Sequence, residues 1–228
     1  MTAVLSKNDA AKAMDRIYRY QTAIYDMTRR PYLLGRDILL QELAPPDASN
    51  ILEIACGTGR NLIVAAKLYP SCHLFGFDIS NVMVTKARTS IERNGLADQI
   101  QIAKGNATDA DSKALFKQGR FDRVYISYAL SMIPPWREAL AHALSLTENS
   151  GNLSIVDFGS AADQPRWIRP FLLFWLKMFG VTPQPDLKAT AEALAQACNR
   201  PITVKRLWGG YAVLIVFEPV RQSASRSL

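Results

Sequence analysis

The chain has 228 residues, of which 49% are hydrophobic, 21% charged and 9% aromatic, and this composition excludes a disordered or fibrous protein. Three scattered cysteines, none in a CxxC pair, exclude a disulfide framework. The net charge of +7 has two explanations that are about equally favoured. One is a polyanionic partner, either nucleic acid or an anionic membrane surface, and the other is a solvated surface that is merely basic. The N-terminus carries charges where a signal peptide has an apolar core, so we expect a cytoplasmic protein.

From residue 50 onward, short apolar runs alternate with amphipathic stretches. Strands are predicted over 50–55, 72–78, 100–105, 122–127 and 152–158, and helices over 60–69, 80–93, 109–118 and 135–147. This alternation predicts a parallel sheet that is covered on both faces. Only Gly209 and Gly210 separate two further strand-like runs, 202–208 and 211–219. They predict an antiparallel hairpin, because a parallel pair needs a crossover of a dozen or more residues.

The most informative motif is ILEIACGTGRN over residues 51–61, where a strand leads into a glycine-rich turn and a helix. Gly57 and Gly59 permit positive φ and leave room for a ligand to approach the backbone. The dinucleotide fingerprint requires a third glycine, and Leu62 stands there instead, which disfavours NAD. Glu53 lies inside the strand, and as a buried carboxylate it is expected to bond loop amides. An ordinary strand-to-helix turn is the structural alternative.

Polar residues follow the next two predicted strands. Asp78 ends the second strand, where a carboxylate can accept bonds from both ribose hydroxyls of a nucleoside, although it could instead cap the following helix. The third strand leads into Asn106, whose amide can accept from an adenine amine. Open α/β sheets bind ligands at the carboxyl ends of their strands, so these residues predict a nucleoside site.

In this order, the motifs resemble those of class I S-adenosylmethionine methyltransferases. The resemblance implies an α/β Rossmann-like fold with a seven-stranded, mostly parallel sheet and an antiparallel C-terminal hairpin. It also implies one methyltransferase domain over 1–228, with an N-terminal helical lid (1–45), a core (46–220) and a tail (221–228). S-adenosylmethionine would be the cofactor, S-adenosylhomocysteine the product, and no metal is expected. The implied cofactor-binding residues are Glu53, Ala55, Gly57, Thr58, Gly59, Asp78, Ile79, Asn106, Ala107 and Ser127. Ala55 replaces a frequent glycine of the family and Asn106 a common aspartate.

The acceptor of the methyl group is indicated less directly. The two histidines, His73 and His142, both lie away from predicted carboxyl ends of strands, so we expect structural roles for them. Without an obvious general base, a nitrogen acceptor is favoured over carbon or oxygen. Ser127-Tyr128-Ala129-Leu130 lacks the acidic or amide residue, two prolines and aromatic of amino-methylating nucleic-acid enzymes, so no nucleic-acid partner is expected. Tyr128 either lines the acceptor pocket or packs against the next helix.

Two further segments are unusual for such a core. Residues 18–37 combine tyrosines with arginines, which suit a methylated cation and a carboxylate, or else form a solvated basic helix. Residues 165–180 are almost wholly apolar but too short to span a bilayer. They suit a helix in the membrane interface, an apolar acceptor pocket, or a buried core or dimer helix.

The stretch Y-D-M-T-R-R-P-Y-L-L-G-R-D over 25–37 resembles the bacterial betaine-lipid N-methyltransferases, which trimethylate the amine of diacylglyceryl homoserine. The resemblance implies a lipid substrate at an anionic membrane surface, reached by a peripheral protein on the inner face of the membrane. The resemblance implies that Tyr25, Tyr32 and Tyr128 line the reaction centre. It implies Arg29 or Arg36 as the residue that binds the homoserine carboxylate. The acyl chains of the substrate would contact Trp167, Phe171 and Trp175. The alternatives are a quinone or other small-molecule C- or O-methyltransferase, and an inactive cofactor-binding partner subunit. Oligomeric state is left open.

Overall fold

The computed structural model describes residues 35–159 and 182–220, together with Leu33, Pro170 and Phe174. The helices among them are α1 (Arg36–Glu42), α2 (Arg60–Leu68), α3 (Asn81–Arg93), α4 (Ser112–Phe116), α5 (Trp136–Ser145) and α6 (Leu187–Ala197), with a short 3-10 helix at Leu130–Met132. The strands are β1 (Asn50–Ile54), β2 (His73–Asp78), β3 (Ile100–Lys104), β4 (Phe121–Ser127), β5 (Thr147–Phe158), β6 (Ile202–Leu207) and β7 (Ala212–Phe217).

The seven strands form one sheet in the order β3-β2-β1-β4-β5-β7-β6. Strands β1 to β5 pair in parallel, and β7 pairs antiparallel with both β5 and β6. Strand β6 therefore runs in the same direction as β1 to β5, and β7 alone is reversed. This confirms the predicted Rossmann-like α/β fold with a seven-stranded, mostly parallel sheet and an antiparallel terminal hairpin. Most of the predicted N-terminal helical lid (1–45) and the predicted tail (221–228) lie outside the described residues.

The helices cover both faces of the sheet. On one face, Leu39 and Leu40 of α1 and Leu62 of α2 pack with inward residues of β1 and β2. On the other face, Leu140 of α5 and Ala191 of α6 pack with residues from the central strands. Because both faces are covered, the central strands contain near-continuous apolar runs, as predicted for a parallel sheet.

Some boundaries differ from the predicted ones. The predicted helix 109–118 is confined to α4, because the Asp111 side chain caps its start and Lys117 ends it in the left-handed conformation. Strand β5 begins at Thr147, five residues before its predicted start at 152, because the stretch from Thr147 pairs with the start of β4 across an irregular register. Helix α6 was not predicted, although its apolar residues at helical spacing indicate it.

Among the helices in the described part of the chain, none has the length and hydropathy needed to cross a bilayer.

Candidate functional site

The strand ends that the sequence singled out meet at one edge of the sheet. Ile54 at the end of β1 pairs with Phe77 on one side and Ile126 on the other. Asp78 at the end of β2 pairs with Lys104 at the end of β3. The loops that follow β1, β2, β3 and β4 are therefore neighbours, and we call this the carboxyl edge.

The turn after β1 is held in the left-handed conformation at three positions. The φ angles are +57° at Ala55, +54° at Gly57 and +73° at Gly59. A Cβ on Gly57 would meet nothing within 4 Å, so this glycine borders open space. A Cβ on Gly59 would lie 3.1 Å from the Cβ of Ala87 in α3. Gly57 therefore leaves room for a ligand, whereas Gly59 serves helix packing, a distinction that the sequence did not reveal.

Asp78 links the glycine turn to the loop after β2. Its Oδ2 accepts from the Gly57 N–H at 2.9 Å, and its Oδ1 accepts from the Ser80 N–H at 2.9 Å. The residue is 7% exposed. The N-cap of α3 is Ser80, whose side chain accepts from the Met83 N–H, so the alternative of Asp78 as the cap is wrong. A carboxylate at this place is a suitable acceptor for the vicinal hydroxyls of a ribose.

The turn after β3 brings Asn106 and Ala107 to the same edge. Asn106 is partly buried, and its Oδ1 accepts from the Thr108 N–H at 3.4 Å, a long bond. The backbone carbonyl oxygen of Asn106 accepts from the N–H groups of Asp109 and Ala110, and these two bonds hold the turn. The other predicted cofactor residues on the carboxyl edge, Thr58, Ile79 and Ser127, are partly buried.

Glu53 lies in β1 with 1% of its surface exposed. Its Oε1 accepts from Asn61 Nδ2 at 2.7 Å and its Oε2 from the Tyr125 hydroxyl at 3.2 Å. These donors are side chains of α2 and β4, so the expectation that Glu53 bonds loop amides is not met. Burial raises the pKa of Glu53 to about 8, against the opposing effects of the two hydrogen bonds and of Arg36. The carboxyl group is therefore mostly protonated at neutral pH.

Arg36 begins α1 and is 9% exposed. Burial lowers its pKa, the charge of Arg60 lowers it further, and Asp37, Glu53 and Tyr128 oppose this change. The groups that oppose the change thus include one residue of β1 and the residue that follows β4. Gly35 before it has φ +94°, and a Cβ there would lie 2.9 Å from a methyl carbon of Leu207.

Tyr128 directly follows β4 and is 4% exposed, with φ +54°. Its ring lies 4.6 Å from that of Phe158 at the end of β5, which in turn lies 5.8 Å from the ring of Tyr211 before β7. The ring of Tyr128 thus packs against the end of the next strand. Burial raises the pKa of Tyr128, and nearby Tyr211 and Asp157 raise it further, so the hydroxyl stays protonated at neutral pH.

The sequence did not identify Phe158 and Tyr211 as neighbours of Tyr128, because contacts between distant strands leave no local signal. The histidines lie as expected for structural roles. His73 begins β2 at the opposite edge of the sheet, and His142 Nε2 lies 3.1 Å from the carbonyl oxygen of Ala110. Within the described ranges, no group of three or more His, Cys, Asp or Glu side chains could hold a metal ion.

Several predicted acceptor residues lie outside the described residues, namely Tyr25, Arg29, Tyr32, Trp167, Phe171 and Trp175. Of the segment 165–180, Pro170 and Phe174 are described, and Phe174 is 64% exposed.

Residues 51–151, a little under half of the chain, match a family described as a methyltransferase domain. Among curated proteins, it is 32% identical over 117 residues to an uncharacterised protein of Rickettsia prowazekii, covering 50% of this chain and 20% of that protein. It is 24% identical over 157 residues to the demethylmenaquinone methyltransferase of Bacteroides fragilis, covering 66% of this chain and 62% of that enzyme. The chain thus spans less than two thirds of the length of these relatives.

Solved structures share the fold. The YcgJ protein of Bacillus subtilis superposes with a TM-score of 0.63 at 14% identity, over 82% of this chain and 99% of that one. The geranyl diphosphate C-methyltransferase of Streptomyces coelicolor, solved with S-adenosylhomocysteine, gives a TM-score of 0.65 at 12% identity, over 82% of this chain and 75% of that one. At these identities the likeness establishes the fold alone.

Proposed function

We propose that this protein transfers methyl groups from S-adenosylmethionine to an amine, and that the amine is the homoserine nitrogen of diacylglyceryl homoserine. Three successive transfers would produce the trimethylated betaine lipid. The protein would act from the cytoplasmic face of the membrane as a peripheral enzyme.

The observation that carries the cofactor assignment is the Asp78 carboxylate beside the open space at Gly57. The carboxylate is held by two backbone N–H groups, so its two acceptor oxygens have fixed positions. A ribose with vicinal hydroxyls matches two such acceptors. Asn106, at the end of the neighbouring strand, supplies an acceptor for the adenine amine. Ser127, Thr58 and Ile79 would line the remaining cofactor surface.

Methyl transfer is an in-line displacement at the methyl carbon. The acceptor nitrogen donates its lone pair to the methyl carbon, the carbon–sulfur bond breaks, and its electron pair stays on sulfur, which becomes the neutral thioether of S-adenosylhomocysteine. The product ammonium then releases a proton to solvent before the next transfer. Alignment of the two reactants and exclusion of water contribute most to such a reaction.

An amine acceptor fits the titratable groups near the carboxyl edge. An amine that binds unprotonated needs no strong base, whereas a hydroxyl or carbon acceptor does. The Tyr128 hydroxyl has a raised pKa and is a poor base. Glu53 is closed off by Asn61 and Tyr125 with 1% of its surface exposed. Neither Tyr128 nor Glu53 therefore supplies an accessible base.

The lipid part of the proposal is supported by three features. The guanidinium of Arg36 lies near the reaction edge, where a homoserine carboxylate would need a cation. The net charge of +7 favours an anionic membrane surface. Phe174 is 64% exposed within the apolar segment 165–180, which disfavours full burial at that position and suits contact with acyl chains.

The test is incubation of the pure protein with diacylglyceryl homoserine vesicles and methyl-labelled S-adenosylmethionine, followed by mass spectrometry of the lipids. We expect mono-, di- and trimethylated lipid to appear in order. Formation of S-adenosylhomocysteine with a membrane extract, but no methylation of this lipid, would refute the acceptor and retain the enzyme. No product with any extract would favour an inactive partner subunit.

A quinone acceptor is the second candidate, because the demethylmenaquinone methyltransferase relative matches over 157 residues. The same assay with a demethylmenaquinone in the vesicles separates the two. Label in the quinone and none in the lipid amine would establish the second candidate.

A further inference from the structure

The hairpin between β6 and β7 reverses the chain at the carboxyl edge. Strand β6 runs in the same direction as β5, and the last residues of both strands pair with Ala212, the first residue of β7. We call the four residues between β6 and β7, residues 208–211, the hairpin tip. In this tip the carbonyl oxygen of Tyr211 accepts from the Gly159 N–H at 2.8 Å. The hairpin tip therefore lies directly beyond the end of β5.

The inner side of the hairpin tip is packed against aromatic side chains. The ring of Tyr211 lies 5.8 Å from that of Phe158, which lies 4.6 Å from the ring of Tyr128. A Cβ on Gly159 would clash with the carbonyl oxygen of Gly210, so the backbone of the tip lies close against the chain that leaves β5. The tip is thus fixed beside the side chains that follow β4 and β5.

Trp208, the first residue of the tip, has two features that the fold does not require. Its φ is +46°, in the left-handed region, which is costly for a residue with a Cβ and not for glycine. The residue is also 45% exposed. A Cβ on Gly35 would lie 3.2 Å from Cζ3 of Trp208, so one edge of the ring contacts the chain before α1, and the rest faces solvent. Strained residues of this kind are concentrated at functional sites.

The position of Trp208 distinguishes it from another exposed apolar residue. Among the described residues, the large hydrophobic ones that are exposed are Leu68, Phe174 and Trp208. Leu68 ends α2 and is 45% exposed, the same fraction as Trp208. The next residue, Tyr69, accepts through its carbonyl oxygen from the side chain of Gln99, directly before β3. Leu68 therefore lies at the opposite edge of the sheet, where β1 to β5 begin.

Basic residues precede Trp208 in the hairpin. Residues 202–217, which comprise both strands and the tip, contain Lys205 and Arg206 and no acidic residue. Both basic residues are exposed, and Lys205 Nζ lies 2.8 Å from Oε2 of Glu42. Arg206 adds a positive charge two residues before the exposed indole ring. A tryptophan together with basic side chains is typical of surfaces that contact the interface of an anionic membrane.

We infer that the hairpin tip is a membrane-contact surface, with Trp208 at the level of the lipid headgroups and Arg206 facing their negative charge. An indole ring is favoured at that level, because its apolar body leaves water while its N–H keeps a polar partner. A membrane at the tip faces the carboxyl edge, where the cofactor is proposed to bind. The inference rests on the proposed function in its choice of a membrane as the partner.

The test is sedimentation with lipid vesicles in the absence of cofactor. Vesicles of phosphatidylcholine, with and without phosphatidylglycerol, are compared for the wild type, Trp208→Asn, Arg206→Gln and Leu68→Asn. Asparagine tolerates the left-handed conformation, so Trp208→Asn should fold, and circular dichroism checks this. Leu68→Asn is the matched control, because it makes an equally exposed apolar residue polar at the opposite edge. Arg206 is exposed, so Arg206→Gln gives a second measurement that does not depend on Trp208→Asn.

Wild-type protein should bind the anionic vesicles more tightly than the neutral ones. Trp208→Asn should lower the partition coefficient for anionic vesicles by roughly tenfold, because exposed indole surface leaves water on binding. Arg206→Gln should lower it by about fivefold, as expected for one basic residue near such a surface. Leu68→Asn should bind as the wild type does.

Equal binding of Trp208→Asn and Leu68→Asn overturns the inference. Wild-type protein that binds neither kind of vesicle also overturns it, and the exposed ring would then suit a protein partner. Equal binding of the wild type to both kinds of vesicle overturns the preference for an anionic surface.

Failure of the proposed function gives a different result. Wild-type protein that binds anionic vesicles through Trp208, but methylates no homoserine lipid, refutes the acceptor and retains the membrane-contact surface. Methylation of the lipid in vesicles, with equal binding of Trp208→Asn and Leu68→Asn, refutes the surface and retains the acceptor.

Discussion

The carboxyl edge has two halves that are built differently, and we name them the cofactor half and the acceptor half after the roles proposed for them. In the cofactor half, after β1, β2 and β3, backbone N–H groups of the loops donate to the side chains of Asp78 and Asn106, and Asp78 joins the loop after β1 to the loop after β2. In the acceptor half, after β4 and β5, the rings of Tyr128, Phe158 and Tyr211 pack together. The first half depends on hydrogen bonds and left-handed turns, and the second on burial of aromatic surface. Substitutions should therefore affect ligand binding in one half and stability in the other.

The largest effect is expected in the acceptor half. Phe158→Ala removes a ring that is 2% exposed and contacts both tyrosines, and it should lower the free energy of unfolding by about 3–4 kcal/mol. Urea denaturation measures this change. Calorimetry on the folded variant should give an affinity for S-adenosylhomocysteine near that of the wild type. A stable variant that no longer binds the nucleoside would contradict the division into two halves.

In the cofactor half, Asp78→Asn should weaken S-adenosylhomocysteine binding by roughly tenfold to a hundredfold. In the wild type, each carboxylate oxygen accepts a backbone N–H, and in the variant the amide NH₂ would face one of these donors. The variant also loses the negative charge that favours the ribose hydroxyls. The matched control is Asp111→Asn, since Asp111 also accepts a backbone N–H but at the start of α4. Equal affinities of the two variants would show that Asp78 acts only in the turn.

Glu53 gives the cofactor half a pH dependence. Its pKa is raised in the folded protein, so the folded state keeps a proton that the unfolded chain releases, and the free energy of unfolding falls as the pH rises from about 4.5 to about 8. Asp157, with a pKa of about 6, contributes in the same direction but only up to that pH. Between pH 6 and 8, Glu53 should lower the free energy of unfolding of the wild type by about 1 kcal/mol per pH unit. The variant Glu53→Gln should not show this decrease.

Urea denaturation of the wild type and Glu53→Gln at pH 6, 7 and 8 measures this difference. Other titrating groups are common to both proteins, so the difference between the two curves reports Glu53 alone. Parallel curves would show that Glu53 is already ionised in the folded state at pH 6.

The smallest effects should separate the two glycines of the turn. Gly59→Ala places a Cβ 3.1 Å from Ala87 and in a left-handed conformation, and it should cost about 1–2 kcal/mol of stability. Gly57→Ala has the backbone cost without the contact, because its Cβ would enter open space. We expect Gly57→Ala to be the more stable of the two and to lose more nucleoside affinity. Thermal denaturation and calorimetry on both variants make the comparison, and the reverse order would assign the open space to something other than the ligand.

The extent of sequence-based prediction follows the same division. The strands, the terminal hairpin and the position of Asp78 were predictable, because alternation of apolar runs, a two-glycine connection and a carboxylate at a strand end are local patterns. Helix α6 was not predicted, although the helical spacing of its apolar residues is a local pattern of the same kind. The separate roles of Gly57 and Gly59 were not predictable, because they depend on whether Ala87 of another helix lies nearby.

The sequence by itself determined the order of elements and the set of polar residues at the carboxyl ends of β1, β2 and β3, because these depend on periodicity and turn chemistry within a few residues. Tertiary structure alone decided that Glu53 is bonded by Asn61 and Tyr125, and that Tyr128 packs against Phe158. These contacts join elements that are distant along the chain. Burial and charge at such contacts depend on the packing of the whole sheet with its helices, which no local pattern encodes.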